Sequence, residues 1–174
     1  MQHPLHLFNY CPKCGSDGFT VNDFKSKRCP HCGFTYYQNP SAATAAFILN
    51  GEDELLVVTR AREPAKGTLD LPGGFVDCGE SGEQGVKREI REETGLDVEH
   101  VDYLFSIPNV YRYSGMDIHT LDMFYVCRVE GRPTVKPADD ASTCAWVPLS
   151  KVYVERFGLR SIRQAVHTFL LQKS

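Results

Sequence analysis

The chain has 174 residues and a formal net charge of −3, which allows one hydrophobic core and a small appendage but not two large domains. Hydrophobic residues make up 42% and charged residues 24%, as in an ordinary globular protein. The weakly acidic balance offers no basic field for nucleic acid, so we expect no nucleic-acid partner. No apolar run approaches the roughly 20 residues that span a bilayer, and no charged-then-apolar leader is present. We therefore expect a cytoplasmic protein with no membrane partner.

The first forty residues carry two short cysteine motifs of the same form, CPxCG, with fourteen residues between Cys14 of the first and Cys29 of the second. Two thiolates that are two residues apart can occupy two corners of a tetrahedron, and a second pair completes a four-cysteine zinc site. Two disulfides or two redox pairs are the alternatives, but the repeated motif and the odd total of seven cysteines favour zinc. A closed site of this kind is structural. The predicted Zn²⁺ ligands are Cys11, Cys14, Cys29 and Cys32.

The N-terminal segment is mildly basic and contains Phe19, Phe24 and Phe34. Such aromatic side chains either form stacking surfaces for nucleic acid or fill the small core of a zinc ribbon. We favour the second interpretation and a structural or homodimer-supporting role. The segment ends at Asn39-Pro40, since a residue before proline disfavours helix. We therefore predict a zinc ribbon over residues 1–40 and a second domain over residues 41–174.

Beyond Pro40 the pattern changes to strands. The apolar runs Ala42–Leu49 and Leu55–Thr59 flank an Asn-Gly turn and predict a hairpin, and a loop rich in glycine and proline follows from Pro64 to Gly79. A helix is predicted over Ser81–Thr94, with Ser81 and Gln84 as a capping box and Gly95 as the residue that ends it. Later elements are predicted as strands at Val101–Ile107, Leu121–Val129 and Trp146-Val147, and as an amphipathic helix from Ile162 to Leu170.

The predicted helix carries Glu89, Glu92 and Glu93 at positions i, i+3 and i+4, which places three carboxylates on one face. Their mutual repulsion would destabilise a bare helix, whereas Mg²⁺ accepts about six oxygen ligands and shares some of them with water and substrate phosphates. A solvated helix with Arg–Glu pairs is the ordinary alternative. The preceding Gly73-Gly74 can bring backbone oxygens close to such a cation.

The segment from Gly74 to Leu96 resembles the Nudix box, G-x5-E-x7-R-E-U-x-E-E-x-G-U with U aliphatic, at every defined position. The flanking LDLPGGF and WVPL segments resemble the same family over about residues 41–174. The resemblance implies an α/β fold, the Nudix α/β/α sandwich with a mixed sheet, preceded here by the zinc ribbon. It also implies a pyrophosphatase that depends on Mg²⁺ or Mn²⁺.

The resemblance implies roles for the matching residues. Glu92 and Glu93 would bind the metal ion, and Glu89 would serve as a ligand or general base. Gly73 or Gly74 would add a backbone oxygen, and Arg88 would orient a glutamate. Glu80 would be a partner of Arg88 or a distant ligand. For the substrate, the family places acidic residues beyond the box, where this chain has Asp139 and Asp140; solvated loop acids are the alternative. Further candidates to contact phosphate or base are Arg60, Arg62, Tyr111 and Arg112.

The substrate implied is a nucleoside diphosphate linked to another group, with ADP-ribose preferred and NADH, nucleotide sugars or nucleoside triphosphates as alternatives. A zinc ribbon before a Nudix box also resembles the NADH pyrophosphatases. Their SQPWPFPxS-like motif is absent here, since the segment after Leu96 reads DVEHVDYLFSIPNVYRYSGM. A nucleotide-sensing module without catalysis is the alternative of another class, and the intact set of three glutamates argues against it.

Overall fold

The computed structural model describes residues 2–137 and 141–173, which fold into two β-sheets and two α-helices. The N-terminal sheet has three antiparallel strands, β1 (Thr20–Asp23), β2 (Ser26–Arg28) and β3 (Thr35–Tyr37). It packs over a small core of Cys11, Phe19 and Cys29. The phenylalanine predicted to share that core, Phe24, is instead 82% exposed, because it lies in the tight turn between β1 and β2 with its side chain outside the sheet.

The larger sheet contains six strands: β4 (Ser41–Leu49), β5 (Glu54–Arg60), β6 (Leu69–Asp70), β7 (Asp102–Tyr113), β8 (Met116–Arg128) and β9 (Ala141–Pro148). Their hydrogen-bonded order is β6-β5-β4-β8-β7, and β9 also pairs with β5. Both β4 and β6 pair with one edge of β5, and β9 pairs with the opposite edge. Strands β4 and β8 are parallel and every other pair is antiparallel. The predicted mixed sheet is thereby confirmed.

Two helices cover the two faces of this sheet, α1 (Gly82–Thr94) and α2 (Arg160–Lys173). Strand β4 shows why: Phe47 and Leu49 pack in the cluster that includes α2, whereas Ala46 and Ile48 pack in the cluster that includes Val86 of α1. A strand buried on both faces is apolar at successive positions, which accounts for the unbroken run in the sequence. The α/β/α layering predicted from the sequence is confirmed. None of the described helices is long and apolar enough to cross a membrane.

The sheet opens along one edge of β4. Strands β4 and β5 pair only at their joined ends, Leu49 with Leu55. The segment 69–76 then runs between the diverging strands: β6 pairs with β5, and the next residues pair with β4, whose Thr44 and Ala46 amides donate to the Gly74 and Pro72 carbonyls at 2.8 Å. This arrangement fixes the loop before α1 to the centre of the sheet.

Candidate active site

Helix α1 positions the acidic residues, and its ends are defined as the sequence predicts. Ser81 is the N-cap residue, with both bonds of a capping box to Gln84, and Gly95 ends the helix in the left-handed conformation at φ 74°. Val86 and Ile90 are fully buried against the sheet. Because the helix is anchored on that side, the side chains of the box reach out from its flanks towards the loop and towards solvent.

Arg88 holds three carboxylates. Its guanidinium donates to both oxygens of Glu80, from Nε at 2.9 Å and from Nη2 at 3.0 Å, and Nη1 donates to Glu89 at 2.8 Å and to Glu92 at 3.0 Å. A further bond from Nη2 to the carbonyl of Phe75, at 2.9 Å, ties the helix to the loop. The bonds from Arg88 hold the pKa of Glu80 below its ordinary value, and those from Glu80 and Glu89 raise the pKa of Arg88. The guanidinium thus orients the acidic group.

The two glycines of the loop lie directly against this group. The amide of Gly73 donates to Glu93 Oε2 at 3.0 Å, and Glu93 is only 8% exposed. A Cβ atom on Gly74 would lie 2.5 Å from Glu89 Oε1, and one on Gly73 would lie 2.1 Å from the carbonyl oxygen of Thr44. The chain can pass between β4 and the glutamates only because both positions lack side chains.

Glu89, Glu92 and Glu93 are therefore brought to one side of the loop, as predicted. Together with Glu80 they outnumber the single guanidinium of Arg88, so the group carries net negative charge and suits a hard cation. In the described part of the chain, the four cysteines are the only set of three or more metal-binding side chains whose ligand atoms all lie within 4.8 Å of one another. Oxygen ligands of one Mg²⁺ lie at about 2.0–2.1 Å from it and thus within about 4.2 Å of one another, so as placed fewer than three of the glutamates would hold one ion, and water and phosphate oxygens would complete its shell.

A cavity of about 620 Å³ adjoins the acidic group and includes Gly73, Gly74 and Glu93 in its wall. Its volume lies within the range of sites that bind small molecules. Phe75 and Tyr111 both line it and contact each other edge to face, with ring centroids 6.2 Å apart. Such aromatic side chains offer contact surface to a nucleobase.

The structure distributes the predicted substrate residues unevenly. Arg60, Arg62 and Tyr111 line the cavity, and Arg60 is also held in place by Asp70 at 2.5 Å and by the Pro64 carbonyl at 2.7 Å. Arg112 does not line this cavity. It pairs with Asp117 at the surface, at 2.5 Å, and borders a smaller neighbouring cavity of about 350 Å³. Asp139 and Asp140 lie outside the described residues.

The lining residues that the sequence analysis did not predict include Phe75, Asn109 and Asp122. Phe75 lies inside the box pattern at a position that the pattern leaves undefined. Asn109 lies in the second half of β7, beyond the predicted end of that strand. Asp122 did give a signal, because it is a charged residue inside the apolar run of β8, LDMFYV. A buried charge in such a run is expected only where polar partners satisfy it.

The four N-terminal cysteines form a second candidate site. The Sγ atoms of Cys11 and Cys32 are 3.7 Å apart, as are those of Cys14 and Cys29. Ligands at the Zn–S distance of about 2.3 Å in a tetrahedron are about 3.8 Å apart, so this spacing fits zinc. Both motifs turn alike: the amide of each final glycine donates to the carbonyl of the first cysteine, at 2.8 and 2.9 Å, and each glycine has φ 74°.

The comparisons with known proteins identify the family. The NUDIX domain family model matches residues 39–168, which is 130 of the 174 residues. The chain belongs to the Nudix family. An ADP-ribose pyrophosphatase of Methanocaldococcus jannaschii is 33% identical over 121 residues, 68% of each chain. The NAD-capped RNA hydrolase NudC of Haemophilus influenzae is 32% identical over 117 residues, which are 67% of this chain and 44% of that one.

Among solved structures, a NUDIX hydrolase from Nitrosomonas europaea has a TM-score of 0.71 at 20% identity and covers 95% of this chain and 92% of its own. That likeness supports the Nudix fold. The family match and the named relatives confirm the prediction of a Nudix hydrolase that acts on pyrophosphate bonds. The chain spans less than half the length of the NudC relative.

Proposed function

We propose that this Nudix protein is a magnesium- or manganese-dependent pyrophosphohydrolase that cleaves the phosphoanhydride of a nucleoside diphosphate linked to another group. One observation carries the proposal: Arg88 bonds the carboxylates of Glu89 and Glu92, and Glu93, which accepts a bond from the Gly73 amide, lines a cavity of about 620 Å³. Phosphates of a substrate seated in the cavity would therefore meet the acidic group, and repulsion between the two anionic partners requires cations between them.

A bound divalent cation would supply charge neutralisation for the phosphates and a more acidic water as nucleophile. Glu92 and Glu93 are the residues proposed to hold it, with a backbone oxygen of Gly73 or Gly74. Glu89, whose side chain is 15% exposed, is proposed as a further ligand or as the base that accepts a proton from the water. Arg88 orients the carboxylates of Glu89 and Glu92 before the substrate arrives, which lowers the reorganisation needed during reaction.

ADP-ribose is the substrate that we favour. The likeness to an ADP-ribose pyrophosphatase covers 68% of both chains, and the cavity offers aromatic contact surface beside the acidic group. A dinucleotide of the NAD type is the second candidate, which the likeness to NudC favours over 67% of this chain. A nucleotide sensor without catalysis is the alternative of another class, and retention of all three glutamates opposes it.

The test is hydrolysis of ADP-ribose, NADH, nucleotide sugars and nucleoside triphosphates with Mg²⁺, with Mn²⁺ and with chelator. We expect one preferred substrate, no turnover with chelator, and a loss of about 10² or more in kcat for Glu93→Gln, because the variant conserves shape but removes charge from the metal site. Glu83→Gln, on the first turn of the same helix, is the matched control and should stay active. Full activity of Glu93→Gln would refute the metal assignment, and binding without turnover across the panel would support the sensor.

The N-terminal forty residues are proposed as a separate structural unit that holds Zn²⁺ through Cys11, Cys14, Cys29 and Cys32. Two points support this: the described strands of the two sheets do not pair with each other, and the spacing of the thiols fits zinc. A four-cysteine site leaves no position open for a substrate, so its role is stability of the ribbon. Metal analysis of the purified protein should find about one Zn²⁺ per chain.

A further inference from the structure

Asp122 lies in the wall of the cavity, on β8, and is 8% exposed. Burial of an ionised carboxylate is costly unless donors or a cation compensate for the lost water. In residues 2–137 and 141–173 no cationic side chain forms a salt bridge with Asp122. Its hydrogen-bond donors are neutral: the hydroxyls of Thr120 and Ser161 and the side-chain amide of Asn109.

The three donors divide unequally between the two carboxylate oxygens. Oδ2 accepts from Ser161 at 2.5 Å and from Asn109 at 3.0 Å, whereas Oδ1 accepts from Thr120, at 2.6 Å. Since each oxygen can accept about two hydrogen bonds, Oδ1 retains capacity for one more. The donors also lock the orientation of the carboxylate, because they come from three different elements, β7, β8 and α2.

A second buried carboxylate, Asp70, lines the same cavity but is placed differently. It is paired with Arg60 at 2.5 Å. Burial raises the pKa of Asp70, and the negative charge of Asp122 adds to that rise. Arg60 and Arg62 line the same cavity, but Asp122 itself forms no salt bridge with a cationic side chain of the described residues, so its carboxylate favours a neutral hydrogen-bond donor over an anionic group. A substrate whose phosphates lie at the acidic group would place its uncharged nucleoside part in the cavity, within reach of Asp122.

We propose that Asp122 is a specificity-determining residue, whose Oδ1 accepts a hydrogen bond from a neutral O–H or N–H donor on the nucleoside of the substrate. The donor is a ribose hydroxyl or the exocyclic amine of the base, which share this chemistry. The inference rests on the proposed function, because it takes the cavity as the nucleoside site. A substrate that lacks the donor would leave a buried carboxylate oxygen unpaired, and such sites reject analogues strongly.

The test combines Asp122→Asn with substrate analogues. In this variant the donors to the Oδ2 position, Ser161 and Asn109, favour the new amide oxygen there. The NH2 group then occupies the position of Oδ1, so a hydrogen-bond donor replaces the acceptor. We expect a 10- to 100-fold rise in KM for ADP-ribose, the order of a hydrogen bond to a charged group, with kcat within about threefold, as for lost uniform binding. The Kd of AMP, by calorimetry, should rise by the same factor.

The analogues identify the donor. Against the wild type, 2′-deoxy-AMP and 3′-deoxy-AMP lack a ribose hydroxyl, and IMP lacks the exocyclic amine. One of them should bind the wild type about 10- to 100-fold more weakly than AMP, and this difference should disappear in Asp122→Asn. A residue that merely stabilised the fold would weaken AMP and all analogues equally, and that result would overturn the proposal.

One control variant separates the contact from the fold. Glu54→Gln changes another buried carboxylate, outside the cavity wall, and should preserve the discrimination among analogues. If the wild type hydrolyses no substrate but the AMP series behaves as expected, the inference holds and the proposed function fails. If the wild type hydrolyses ADP-ribose but the analogues bind alike, the inference alone fails.

Discussion

Gly74→Ala is expected to impair catalysis without unfolding the protein. The new Cβ atom would lie 2.5 Å from Glu89 Oε1 and 2.6 Å from Glu89 Cδ. Real Cβ contacts essentially never fall below 3.0 Å and are ordinary from 3.4 Å, so the carboxylate must retreat by between 0.5 Å (3.0 − 2.5) and 0.9 Å (3.4 − 2.5). Displacement of a reacting group by about 1 Å can cost about 10²-fold in rate. We therefore predict a fall in kcat of that order.

The neighbouring glycine supplies the contrast. On Gly73 a Cβ atom would lie 2.1 Å from the Thr44 carbonyl oxygen and 2.6 Å from the Ala45 Cα atom. Both are backbone atoms at the centre of the sheet and cannot swing aside as a glutamate side chain can. Gly73→Ala should therefore lower the free energy of unfolding by at least about 1–3 kcal/mol, the usual cost of overpacking.

The assay pairs steady-state kinetics on the preferred substrate with urea denaturation. The free energy of unfolding of Gly74→Ala should lie within about 1 kcal/mol of the wild-type value. Gly51→Ala is the control, because a Cβ atom at this exposed turn would lie 3.9 Å from the nearest atom, and it should match the wild type in both measurements. A fully active Gly74→Ala enzyme would refute the assignment of Glu89 to the reaction. A Gly74→Ala enzyme as unstable as Gly73→Ala would show that the box loop, not the glutamate, responds to the change.

Two further predictions concern the ribbon and the guanidinium. Cys11→Ser should release Zn²⁺, measured by metal analysis, and lower the melting temperature of the N-terminal unit, because zinc binding contributes directly to the stability of such ribbons; retained zinc would contradict the four-cysteine site. Arg88→Ala should lower the free energy of unfolding above about pH 4.5, where Glu80 is ionised in the folded and the unfolded protein. The difference in unfolding free energy from the wild type should shrink as the pH falls below that value, because the bonds from Arg88 lower the folded-state pKa of Glu80. A difference in unfolding free energy that is constant from about pH 7 to pH 3 would argue against this pairing.

Local signals in the sequence were sufficient for the core elements of the site. The capping box at Ser81 and the glycine at position 95 defined α1 to the residue, because both features act through the nearest backbone groups. The hairpin of β7 and β8 was underestimated: the predicted strands ended near Ile107 and began near Leu121, whereas the pairing continues to Tyr113 and Met116. Exposed strand residues have no alternating apolar pattern, and their pairing depends on the partner strand.

The same reasoning explains what was missed in the cavity. Glu89, Glu92 and Glu93 share a helix, so their spacing alone predicts that they lie together. Asn109 and Ser161, by contrast, meet on Asp122 from positions 13 and 39 residues away. Contacts between distant segments depend on the register of the sheet and on the docking of α2, and no local pattern encodes either.

The divergence of β4 from β5 has a consequence for how the cavity is kept open. Strands β4 and β5 pair only at Leu49 and Leu55. Beyond that point the segment 69–76 lies between them and hydrogen-bonds to the backbone groups that the two strands would otherwise offer each other. Residues of this segment, among them Asp70, Gly73 and Phe75, also line the cavity, so the segment that separates the strands supplies part of the cavity wall. Main-chain hydrogen bonds hold this part of the wall in place, so changes in the other lining side chains are expected to leave it unmoved.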